Sequence, residues 1–164
     1  MNIRHCHFVL FIFILLAGIA PYTAEAGPYQ DFYNAIQSSD SAVISAQIKS
    51  LENSSIKEKE AYSGALMMKM SGIVKSGLEK LKIFKAGRIK LENSIRQDSL
   101  NAEYRFLRLI IQEHVPDFMN YHSKRVEDAK MISESFGKLN ATLQKAIAEY
   151  SKKSKFLKPE DLHK

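Results

Sequence analysis

Asn101-Ala102-Glu103-Tyr104-Arg105-Phe106-Leu107-Arg108-Leu109-Ile110-Ile111-Gln112-Glu113-His114 is the stretch that decides the fold class. At roughly 100° per residue, Phe106, Leu107, Ile110 and Ile111 cover so much of a helix that it belongs in the centre of a helical fold rather than on its surface. Pro116 cannot continue the helix, because it lacks the N–H and clashes with the preceding turn. Against the apolar majority, Asn101, Arg105, Arg108 and Gln112 fall within about 60° of one another as a polar stripe. Two guanidiniums on such a helix need partners, since an unpaired buried charge is costly. Carboxylates such as Glu92, Asp98 or Asp128 would make the stripe structural. An anionic ligand would instead make Asn101, Arg105, Arg108 and Gln112 a binding site. Glu103 lies on the opposite face with His114, roughly 16 Å away along the axis, too far to share an acid–base site.

Outward from this helix the apolar period stays helical, and no window alternates strictly enough to argue for a strand. Asp40 caps an opening helix carrying Val43, Ile44, Ile48 and Leu51. Ser55-Ile56-Lys57-Glu58 reads as a capping box that starts a second helix, which Ser76-Gly77 stops. A third helix carries Leu78, Leu81, Phe84, Leu91 and Ile95, and Gln97 to Asn101 makes the next turn. Pro116 to Tyr121 allows one short helical turn. Further on, Ala129, Ile132, Phe136, Leu139, Leu143, Ala146 and Tyr150 keep a 3-4 spacing that would suit one long helix. Gly137 inside it and Asn140, a good N-cap, favour a break near 137–140. The predicted fold is all-α, a bundle or short repeat-like array of five to seven antiparallel helices.

The N-terminus adds a targeting segment. A basic start with Arg4, a thirteen-residue apolar run from Phe8 to Ala20 and a small-residue site at Ala24-x-Ala26 form a secretory signal pattern, and the run is too short to span a bilayer. Three parts are expected: a signal peptide over 1–26, one helical domain over 27–152, and a basic flexible tail over 153–164. The expected location is therefore outside the cytoplasm, in the periplasm or beyond. With 45% hydrophobic and 26% charged residues among 164, the chain is neither a disordered polymer nor a polytopic membrane protein. Loss of the leader removes the one cysteine, Cys6, so the mature domain has neither disulfides nor thiolate–metal sites. It keeps the net charge of +6, because Arg4 and Glu25 leave together. Lysines crowd the tail and the stretch Lys75, Lys80, Lys82, Lys85 and Lys90. For an exported chain such a surface faces anionic lipids or polysaccharides rather than nucleic acid.

Catalytic signals are thin. Glu113, His114, Asp117 and His122 match no metal-ligand spacing, with Pro116 breaking the helix between the histidines. Met67-Met68-Lys69-Met70 places only one Met pair on a helical face, which suits packing. No phosphate loop, nucleophile elbow or His-Glu-x2-His motif occurs, so no catalytic residue, metal or cofactor is expected.

Gly87-x3-Leu91-x2-Ser94-x4-Ser99 has the spacing of the second helix of a tetratricopeptide unit, with Gly87 and Ser94 small enough for close helix contact. Ser99 stands where that family has proline, and no Trp-x2-Leu-Gly lies upstream. Across residues 60–130, Ala61-Tyr62-Ser63-Gly64-Ala65-Leu66, Phe84-Lys85-Ala86-Gly87, Asp98-x2-Asn101-x-Glu103-x-Arg105-Phe106-Leu107-Arg108, Pro116, Tyr121 and Asp128 resemble a group of small exported α-helical, tetratricopeptide-like proteins of the Bacteroidetes. The resemblance implies a Gram-negative envelope setting and a helical fold, and it brings no catalytic residues.

The function expected from all this is non-catalytic: binding of a protein, a peptide or an anionic envelope component by an exported helical scaffold. The alternatives are a small-anion binder or enzyme centred on Arg105 and Arg108, and a peripheral membrane-surface protein held by its lysines.

Overall fold

Between Pro28 and Gln37 the chain forms a helix that the sequence reading did not include, and it opens the fold. The computed structural model describes residues 28–163, so the expected signal peptide lies outside the described residues. The first helix, α1 (Pro28–Gln37), begins with a proline at its first position, where a missing N–H costs nothing. It buries Phe32, Tyr33, Ala35 and Ile36. Then follow α2 (Ser41–Glu52), α3 (Lys59–Ser71), α4 (Gly77–Gln97), α5 (Ala102–His114), α6 (Arg125–Ser135) and α7 (Ala141–Ser151). The described residues contain seven α-helices and no strand, in agreement with the all-α expectation.

The helix starts are set by side chains taking orphan N–H groups. Asp40 accepts from Ala42 N at 2.8 Å, and Asn101 from Glu103 N and Tyr104 N. Asn140 accepts from Leu143 N at 3.0 Å. The break expected near 137–140 is there, as a 3-10 turn over Phe136–Lys138 followed by the Asn140 cap. The single turn after Pro116 is also there, over Asp117–Met119. Two starts differ from expectation. Ser55 and Glu58 form no capping box: α3 begins one residue after Glu58, which makes no side-chain cap bond, while Ser54 Oγ accepts from Ile56 N. Ser76-Gly77 opens α4 instead of closing α3, with Ser76 Oγ accepting from Glu79 N. The chain had already turned at Gly72, so a good N-cap residue took the start rather than the stop.

The helices share one core, and α3 packs most extensively on α4. Gly87 permits the close approach expected of it: a Cβ there would stand 2.6 Å from the Gly64 carbonyl oxygen, closer than side-chain atoms pack. Beyond α7, the tail expected to fray is folded instead. Leu157 and Leu162 are buried, Ser154 Oγ accepts from Leu157 N, and a 3-10 turn covers Pro159–His163. Burying two leucines outweighs the solvation of the lysines around them, whose charged ends stay in water. Among the described residues no helix is long and apolar enough to cross a membrane.

Candidate functional site: an ion cluster on one side of α5, an open cavity on the other

The stripe on α5 resolves into ion pairs. Arg108 grips Asp128 of α6 with two parallel bonds, Nε to Oδ2 at 2.8 Å and Nη2 to Oδ1 at 2.7 Å, and gives Nη1 to Glu92 of α4 at 3.0 Å. Arg105 gives Nη1 to Asp128 and Glu127, and Nε and Nη2 to the Ser99 carbonyl. All six guanidinium nitrogens are therefore occupied. Asp128 is fully buried and Arg108 is 4% exposed, so the fork-to-fork geometry and the extra acceptors offset a large desolvation cost. Burial works against the Arg108 charge, yet the Asp128 bonds and the Asp128 and Glu92 charges hold its pKa above the ordinary arginine value. Tyr121 donates to the other oxygen of Glu92 at 2.6 Å and closes the network.

The other two stripe residues do separate work. Asn101 is the cap of α5, its amide also donating to Asp98, which itself pairs with Lys57 and not with either arginine. Gln112 is buried, with Oε1 accepting from Lys124 N and its carbonyl facing His122 Nδ1 at 3.1 Å. The four residues thus stand on one helix face without converging on an open space.

On the opposite side, Glu103 is a buried carboxylate. Its Oε1 accepts from Tyr33 at 2.6 Å and from Tyr62 at 2.5 Å, joining α5 to α1 and α3. Burial pushes its pKa above the ordinary value, although the two tyrosine bonds pull the other way.

Next to that cluster opens a cavity of about 900 Å³. Its wall is assembled from five helices: Ile36 of α1, Met68 of α3, Phe84 of α4, Phe106 and Ile111 of α5, and Tyr150 of α7. Where α5 ends, Pro116 turns the chain across the opening and sets Phe118, 77% exposed, at the lip beside Ile73 and Leu81. Among the charged groups of the lining, cations outnumber acids. Lys69, Lys80, Lys153 and His114 line it, whereas Glu149 is the single carboxylate in the lining among the described residues. Lys152 holds Glu149 at 2.7 Å. A cavity of this size, largely apolar with a few polar groups, is what small-molecule sites look like.

None of the site residues expected from the sequence lines this cavity, and His114 figures in the sequence only as a rejected metal ligand or acid–base partner. Its parts lie up to 120 positions apart, from Tyr33 to Lys153, and each reads locally as core or solvated surface. Of the imagined metal cluster, His122 stands 3.4 Å from Asp117, while His114 and Glu113 bond elsewhere. Among the described residues no group of three ligands could hold a metal. Compared with protein-family models, with curated proteins and with solved structures, the chain matches none.

Proposed function

We propose that the chain is an exported, non-catalytic binding protein whose ligand lies in the cavity between α1, α3, α4, α5 and α7. The observation that carries this reading is the cavity itself: about 900 Å³ of open, largely apolar space, while the buried charged groups of the described residues, Glu103, Arg105, Arg108 and Asp128, are already hydrogen-bonded. Export rests on the basic start, the apolar run and Ala24-x-Ala26, and the resemblance to small envelope proteins agrees with it. The alternative centred on Arg105 and Arg108 gains no support from guanidiniums whose donors are all engaged.

The test uses a neutral fluorescent probe, N-phenyl-1-naphthylamine, displaced by straight-chain alcohols of rising length. Each further methylene buried should tighten displacement about fourfold, from ~0.8 kcal/mol per methylene. Ala146→Phe, which fills space at the wall, should weaken it. No fluorescence enhancement, or displacement indifferent to chain length, would remove the reading.

Attachment to an anionic membrane surface has an observation of its own. Leu78 and Phe118 are 84% and 77% exposed; Leu78 lies on the lysine-rich α4, and Phe118 shares the cavity lining with its Lys80. Co-sedimentation with anionic but not zwitterionic vesicles, abolished in Leu78→Ser/Phe118→Ser, would support it.

A further inference from the structure

We propose that the ligand is a single-chain amphiphile with an anionic head, its chain in the cavity and its head between Lys69 and Lys153. This deepens the binding reading above and rests on it. Lys69 is half-buried on α3, in the cavity lining, and its ammonium has no hydrogen bond or ion pair among the described residues. Lys153 lines the same opening from the end of α7, where its ammonium stands 5.5 Å from the Tyr150 ring centre. Among the described residues neither ammonium has a carboxylate partner, and the one acid of the lining is held by Lys152. Lys57, Lys90 and Lys124, by contrast, each have a carboxylate, and the arginines of α5 share three.

The two lysines also feel each other. Burial first, and the charge of Lys153 second, hold the Lys69 pKa below the ordinary lysine value. Two like charges kept together beside apolar surface are destabilising on their own and become favourable once an anion sits between them. The walls below are apolar, so the matching ligand has one charged end and a hydrocarbon remainder. A carboxylate and a phosphate monoester share that chemistry, and both give charge-assisted bonds to ammonium groups. A protein or peptide would instead present amide groups along its whole length, and the largely apolar walls leave most of them without partners.

The experiment displaces N-phenyl-1-naphthylamine from the mature protein with dodecanoate, dodecyl phosphate and dodecanol, at low salt and neutral pH. Dodecanoate or dodecyl phosphate should bind about tenfold or more tightly than dodecanol, the gain expected of charge-assisted bonds. Lys69→Met/Lys153→Met should erase that preference and leave dodecanol unchanged. The ratio of the two anions then distinguishes a free fatty acid from a phospholipid-derived monoester. Equal binding of anions and alcohol, or a preference that survives the double substitution, overturns the head-group assignment while leaving the cavity reading intact. Failure of every amphiphile to displace the probe overturns the cavity reading itself. Sedimentation of the unliganded protein supplies the remaining control: a dimer that the amphiphiles do not dissociate would assign the opening to a second copy and overturn the proposal.

Discussion

Gly64 and Gly87 meet backbone to backbone: a Cβ on Gly64 would lie 2.7 Å from the Gly87 carbonyl oxygen, and one on Gly87 would lie 2.6 Å from that of Gly64. The contact has no side chain that could move aside. Gly87→Ala must therefore push α3 and α4 apart, which overpacking data put at about 1–3 kcal/mol. That exceeds the roughly 1 kcal/mol that alanine gains over glycine inside a helix. A lowered melting temperature is expected for Gly87→Ala and for Gly64→Ala. Gly137 is the control, since nothing lies within 4 Å of its missing Cβ. Gly137→Ala should melt at or above the wild-type temperature, and a calorimetric scan of the three variants checks the set.

Arg108→Met should destabilise more than Arg105→Met. Removing Arg108 strips the fully buried Asp128 of both parallel bonds, and breaking such a pair costs about 3–5 kcal/mol. Removing Arg105 leaves Asp128 its partner Arg108 and leaves Glu127 half in water with Lys124, so about 1–3 kcal/mol is expected. Chemical denaturation of both variants reads the order. Unchanged stability in both would return the arginines to the role of ligand-binding groups.

The Glu103 carboxyl makes stability depend on pH in a definite direction. Its folded pKa is raised above the ordinary 4.5, so the native state holds this proton more tightly than the unfolded chain does. The contribution is favourable and complete below 4.5 and is lost as pH rises through the folded value. Glu103→Gln cannot ionise and still offers an oxygen to Tyr33 and Tyr62. The stability gap between wild type and Glu103→Gln should therefore shift in favour of the variant as pH rises above that range. Urea midpoints across the series measure it, and a gap independent of pH would show that the carboxyl is not raised.

Leu157→Ala should cost about 2–5 kcal/mol, as for other fully buried leucines. A frayed tail would give no change. The same substitution at Leu100, 79% exposed, should fall within about 0.5 kcal/mol of wild type.

What the sequence revealed was whatever a single helix can reveal about itself. Asn101 and His114 bound α5 as read, and Gly137 with Asn140 marked the break between α6 and α7, because caps and breakers act within a few residues. Arg105 and Arg108 announced their need for acids, and two of the three carboxylates named, Glu92 and Asp128, answer it. The α1 helix escaped because its ten residues are too few to display a long period beside the apolar leader. Leu157 and Leu162 escaped because isolated leucines among lysines carry no period at all. The cavity escaped for a different reason. Lys69 looks like any surface lysine on α3 until α7 folds over and brings Lys153 to the same opening.

One carboxylate ties the last residues to that opening. Glu113 Oε2 accepts from Tyr150 at 2.7 Å and from Ser154 Oγ at 2.8 Å, while Oε1 accepts from Lys155 N at 2.6 Å. Tyr150 is at once a wall of the cavity and a neighbour of the segment that follows α7. A molecule packed on its ring therefore favours the state in which that segment is docked, by mass action. Cleavage by trypsin at Lys155 or Lys158 requires the segment to lift away, so the rate at which protease nicks the C-terminal dozen residues becomes a gauge of how full the cavity is.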